Sequence, residues 1–212
     1  PHLIEVQPSL LAQARRAQLV VAAGADLEVG WLPLVVRDSG NAGIQPGKPG
    51  YFEAASVVNR LEVPAVLDRA HGDVHAAGNP HTHLDPRNVL KVGEALARRM
   101  AELDAANASG YQTRYTAFAA KWQTAMQRWE KEAAPLRGVA VLVHHGSFVY
   151  LSNWLGLKDV GTLEPKPGIE PTRGHLSSLL ANQQTMPAKM ILRAAYNQEA
   201  PSQWIAGKVG IP

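Results

Sequence analysis

Cysteine is absent from the 212 residues, which excludes both a disulfide framework and a thiolate metal site. Histidine and carboxylates are then the strong metal ligands left to the chain. No run of about 18 apolar residues occurs, so no membrane-spanning segment is expected. The chain opens at Pro1, and a processed or trimmed N-terminus is expected. Basic residues form no cluster interleaved with aromatics, and the formal charge of +3 is spread along the chain, so nucleic acid is not an expected partner. Gly-rich phosphate and dinucleotide fingerprints are lacking too, since residues 40–50 (GNAGIQPGKPG) match neither spacing.

What is present suffices for a folded core: 46% of residues are hydrophobic, enough for one large domain or two small lobes. Residues 9–17 read as a helix with Pro8 near its first turn, followed by a buried strand at 19–23 that Gly24 ends. Residues 40–50 and 69–86 are too rich in turn formers for regular structure. Helices are predicted at 88–103 and 107–134, the second ended by Pro135 and Gly138. Its stripe of Tyr111, Tyr115, Phe118, Trp122, Ala125 and Trp129 alternates steps of four and three, which gives one aromatic face and one wet face. A rod of that length is expected to brace two lobes. Three alternations follow: strand 139–143 and helix 148–155, strand 160–163 and helix 172–183, strand 190–194 and helix 202–209. Such alternation predicts parallel strands with covering helices. The expected organisation is an N-terminal α/β lobe at 1–88, a helical segment at 89–136 and a C-terminal α/β lobe at 137–212.

Histidine carries the chemistry. Four of the eight, His71, His75, His81 and His83, lie in the irregular stretch 69–86, and Asn79-Pro80-His81-Thr82-His83-Leu84-Asp85-Pro86 holds two of them in a Pro-bounded turn. His144-His145 follows the strand at 139–143, at the carboxyl edge where open α/β sheets gather ligands. His2, His81 and His145 each sit on a loop, and three neutral imidazoles with a carboxylate or water would satisfy tetrahedral Zn²⁺. In an extended segment residues two apart face opposite ways, so one of His81 and His83 is expected to be the ligand and the other its neighbour. The same alternation allows only one of His144 and His145 to reach a site. His175 reads as a surface residue. Glu164 and Glu170 stand in a proline-flanked turn as further candidates, with Glu170 better placed to favour the N-terminus of the next helix.

Taken in order, these segments resemble the metal-specific solute-binding proteins of ABC transporters, the zinc and manganese class. The likeness is carried by Pro1-His2-Leu3-Ile4-Glu5 with Gln7-Pro8-Ser9, by Ala22-Ala23-Gly24-Ala25-Asp26-Leu27-Glu28 with Trp31, and by Asn79-Pro80-His81 with Leu84-Asp85-Pro86. His145-Gly146-Ser147-Phe148-Val149-Tyr150-Leu151 with Leu155-Gly156-Leu157, and Glu170-Pro171-Thr172, complete the set. It spans essentially the whole chain. The resemblance implies two α/β lobes with parallel sheets joined by a long rigid helix, and a metal site between the lobes with His2, His81 and His145 as ligands. It implies zinc rather than manganese, because manganese-selective relatives tend to carry Glu at the third position. It also implies a periplasmic or extracytoplasmic monomer that delivers metal to a membrane permease and is not an enzyme.

Relatives carry a strand and helix before the Pro-His segment and an Asp ligand beyond the point where this chain stops, so the chain is expected to lack an edge strand of each lobe. Two rival readings use the same residues. His81-Thr82-His83 is similar to the His-x-His of metal-dependent amidohydrolases, but such barrels need about 250 residues and a fuller set of strand-end ligands. A surface adhesin with metal as structural cement is the other.

Overall fold

The structure is a computed structural model and describes residues 5–64 and 75–212. Its described residues fall into two compact units, one drawing on residues 5–63 and 75–127, the other on residues 64 and 128–212.

In the first unit, helix α1 (Pro8–Arg16) begins on proline at its first position, where a missing N–H costs nothing, and ends on Arg15 and Arg16, which suit its negative end. Strands β1 (Val20–Ala22) and β2 (Tyr51–Glu53) pair in parallel, with Val20 opposite Tyr51. Helix α2 (Leu32–Asp38) lies between them in sequence, with Pro33 in its first turn. It buries Leu32, Val35 and Val36, one face at helical spacing, against Ala14, Ala22 and Ile44. The segment 40–50, expected to be irregular, is held by side-chain amides. Asn41 Nδ2 donates to the carbonyls of Ala14 (3.0 Å) and Ala17 (2.8 Å) at the end of α1, and Gln45 Nε2 donates to Val36 O at 3.0 Å.

Gly50 closes that segment onto the sheet. Its N–H donates to Gly43 O at 3.2 Å and its carbonyl accepts from Val20 N at 2.8 Å. A Cβ at this position would press into the backbone oxygens of Gly43 and Gln18. Neither α2 nor β2 was expected from the sequence.

Helix α3 (Pro86–Leu103) takes Asp85 as its cap, whose side chain accepts from Arg87 N at 2.9 Å. Helix α4 (Ala108–Ala133) is 26 residues long, about 39 Å at 1.5 Å per residue. Its aromatic stripe is half-buried rather than buried and works through polar tips as well as area. Tyr115 OH donates to Leu90 O (3.2 Å) and Trp122 Nε1 to Pro86 O (2.8 Å), while the rings of Tyr115 and Phe118 pack at Gly93. Phe118 itself stays 38% exposed, so the division into a wet and an aromatic face is graded.

The second unit carries a three-stranded parallel sheet in the order β4-β3-β5, from β3 (Ala140–Val143), β4 (Lys158–Thr162) and β5 (Met190–Leu192). Helices α5 (Val149–Leu155), α6 (Arg173–Asn182) and α7 (Glu199–Val209) alternate with the strands as the apolar runs predict. Leu142, Leu163, Leu176, Leu179 and Ile205 form the core. The expected α/β class with parallel sheets and one long helix is the architecture found. Among the described residues no helix is long and apolar enough to cross a membrane.

Gly50→Ala is expected to destabilise the protein by about 2 kcal/mol or more, because backbone oxygens, unlike a side-chain end, have nowhere to go. A thermal melt checks this, and an unchanged midpoint would show that the 40–50 segment yields freely.

Candidate metal centre

In the first unit the segment before α3 is fixed on both sides of His81. Asn79 N donates to Leu61 O (2.8 Å), and Asn79 Nδ2 donates to Glu62 Oε2 (2.9 Å). Gly78 makes this turn possible. It adopts φ +98°, and a Cβ there would lie 3.0 Å from both Leu61 O and Val63 Cγ2. With its amide nitrogen turned to Glu62, Asn79 presents Oδ1 to His81, accepting from the backbone N–H at 3.0 Å and lying 2.9 Å from Nδ1. An amide oxygen only accepts, so Nδ1 of His81 carries the proton and Nε2 keeps its lone pair. His81 is 7% exposed, behind buried Pro80. Downstream, Asn88 Nδ2 donates to Thr82 O (3.0 Å), and Asp85 grips Arg87 through Nε and Nη2.

Residues 82–84 form a 3-10 turn, not the extended segment assumed in setting His81 and His83 on opposite sides. The turn draws the two rings to 6.4 Å between centroids, tilted by 49°. His81 is buried and His83 exposed. Asn79 is the partner that sequence reasoning missed; an Asn two residues before His, across a proline, is the signal for such an Asx turn.

In the second unit the bend that follows β3 is hydrogen-bonded to the ends of both neighbouring strands. His144 N donates to Leu192 O (2.9 Å), and its carbonyl accepts from Glu164 N (3.2 Å). Residues 144 and 145 form a bend rather than continuing the strand, so pleat alternation does not itself set which of the two imidazoles faces a site. His144 is only 2% exposed with Nδ1 unpartnered, and burial lowers its imidazole pKa, which keeps it neutral. His145 Nδ1 meets Glu164 Oε2 at 2.7 Å, and the same oxygen accepts from Gly168 N at 2.9 Å. Burial opposes the charge on Glu164, but the hydrogen bonds from His145 and Gly168 outweigh it and hold the carboxyl below its ordinary value.

Glu164 thus orients an imidazole, a role its proline-flanked sequence did not disclose. Glu170 is exposed, and Thr172 rather than Glu170 caps α6. His175 is not a plain surface residue: it is half-buried, with Nε2 2.8 Å from Thr162 O at the end of β4.

His81 belongs to the first unit and His145 to the second; His2 and His71 lie outside the described residues. Among the described residues no group of three or more His, Asp and Glu side chains is gathered to hold a metal ion. The two halves nonetheless repeat one device. Each imidazole has Nδ1 on an oxygen, which turns Nε2 into the nitrogen that can bind a cation, and such outer partners are what metal-bound histidines carry.

The family described as zinc-uptake complex component A, periplasmic, matches residues 1–212. The metal ABC transporter substrate-binding lipoprotein SloC of Streptococcus mutans serotype c is 22% identical over 218 residues, covering 100% of this chain and 68% of that protein. A crystal structure of ZnuA aligns with a TM-score of 0.79 at 23% identity, over 99% of this chain and 75% of that one. A Mn-bound periplasmic metal binding protein from Candidatus Liberibacter asiaticus aligns with a TM-score of 0.77 at 16% identity, over 100% of this chain and 73% of that one. At those identities the structural likeness establishes the fold. The family is a component of metal transport rather than an enzyme, which removes the hydrolase reading of His81-Thr82-His83. With the match running from the first residue to the last, the chain belongs to the zinc-uptake complex component A family, the metal-binding proteins of ABC uptake systems.

Proposed function

We propose that this chain captures Zn²⁺ outside the cytoplasm and passes it to the membrane permease of an ABC uptake system, with His2, His81 and His145 as the metal ligands. The supporting observation is the pair of oriented imidazoles. Asn79 Oδ1 lies 2.9 Å from Nδ1 of His81 and Glu164 Oε2 lies 2.7 Å from Nδ1 of His145, so in each ring Nε2 is the nitrogen that would bind a metal. Three nitrogen donors favour Zn²⁺ over Mn²⁺, which prefers carboxylate and water oxygen. Family membership supports the permease partner and the extracytoplasmic setting. A relative's manganese makes the choice of metal worth measuring directly.

Glu164 acts beyond orientation. Its charge makes Nδ1–H of His145 a stronger donor and so raises the basicity of Nε2. The sign of its pH dependence follows from its lowered pKa: its contribution is complete above the ordinary carboxylate value and is lost as pH falls through the lower folded value. It therefore stays ionised across the range in which imidazoles titrate.

Chelator competition should show zinc affinity reduced by roughly a hundredfold or more in His81→Ala and in His145→Ala, and by about tenfold to a hundredfold in Glu164→Gln. Parent-like binding by either histidine variant would remove that residue from the ligand set. Affinity should fall steadily from neutral into mildly acid pH, because protons compete with the metal for imidazole nitrogen. A flat profile from neutral to mildly acid pH, or Mn²⁺ bound more tightly than Zn²⁺, would contradict the nitrogen-rich site.

A further inference from the structure

We propose that His83 is a loading ligand, an exposed imidazole that takes the incoming ion together with His81 before the other ligands engage. The proposal rests on His81 being a ligand of the captured metal. Both rings belong to one short turn, His81 as the residue that opens it and His83 within it. One is buried and oriented by Asn79, the other reaches solvent. An ion arriving from solvent therefore meets His83 without first displacing protein.

The spacing suits a transient bridge rather than a finished site. At a metal–nitrogen distance of about 2.0–2.1 Å, an ion lies roughly 3.2 Å from each ring centre, so two imidazoles sharing it stand about 5.2 Å apart at a tetrahedral angle and about 6.4 Å apart when opposed. The observed 6.4 Å sits at the outer limit of that range. A tetrahedral ion needs the rings to close by about 1 Å. His81 is held by its burial and by Asn79, so an exposed His83 is the ring that turns. Two imidazoles from one turn bind weakly, leave water on the remaining positions and let go readily. That is the behaviour wanted of a step on the way in, and of the reverse step on the way out.

Such a ligand, absent from the final coordination, changes rates without changing the equilibrium. Stopped-flow mixing of the apo protein with buffered Zn²⁺, with dissociation followed into excess chelator, reads both directions. In His83→Ala, association and dissociation should each slow about three- to tenfold while the dissociation constant stays within about twofold of the parent. His83→Gln, which keeps bulk and polarity but no imidazole, should slow equally. An unchanged association rate in either variant would overturn the proposal, as would an affinity loss matching that of His81→Ala, which would make His83 a permanent ligand. Parent-like affinity in His81→Ala would instead refute the ligand assignment underneath, so the two failures are distinguishable. Thermal melts of both His83 variants should match the parent, because the side chain is exposed.

Discussion

A neutral imidazole binds a cation through one nitrogen and must spend the other on an acceptor, and this requirement organises both candidate loops. For His81 the acceptor is Asn79 Oδ1, and for His145 it is Glu164 Oε2. Neither partner is adjacent in sequence to the histidine it serves, so the fold has to deliver each. In the second unit the delivery is by strand register. Leu163 N bonds Val143 O and Glu164 N bonds His144 O, which ties the chain leaving β4 to the bend after β3 and sets Glu164 beside His145. In the first unit the delivery is local: Gly78 turns, Asn79 anchors to Leu61 and Glu62, and Pro80 stiffens the approach.

The cores matter to the chemistry chiefly by holding these registers. Leu142, Leu163 and Leu179 pack beneath the ladder that places Glu164. Asn88, one turn into α3, reaches back to Thr82 O and so ties the histidine turn to the start of the helix, while Asp85 caps that helix and grips Arg87. Helix α4 then covers α3 through Tyr115 and Trp122. A carboxylate on one imidazole and an amide on the other also differ in strength, since charge-assisted hydrogen bonds are the stronger. On the proposed reading His145 is thereby the more basic donor and His81 the more easily exchanged one.

Much of this was legible in the sequence where the pattern was long or regular. The second unit's three apolar runs each became a strand and the intervening segments became helices, because each run is short, apolar and flanked by turn residues. α3 and α4 were equally plain from periodicity. Missing were β2, three residues long beside a glycine-rich segment and too short for any period to show, and α2, whose Leu32-Pro33-Leu34-Val35-Val36 reads as readily as a strand. The histidine turn was misjudged because an extended backbone was assumed across Thr82, where the chain forms a 3-10 turn. Glu164 was weighed as a ligand or a turn residue, since the pairing that makes it a partner of His145 is nineteen residues long-range and set by register.

The central claim is that the chain holds its ion through imidazole nitrogens supplied by His2, His81 and His145. X-ray absorption at the zinc edge of the Zn²⁺-loaded protein counts such ligands directly, because imidazole rings leave a characteristic outer-shell scattering pattern. The account predicts nitrogen or oxygen scatterers at about 2.0–2.1 Å with an outer shell fitted by three imidazoles. A shell fitted by one imidazole or none, with oxygen filling the remaining positions, would contradict it.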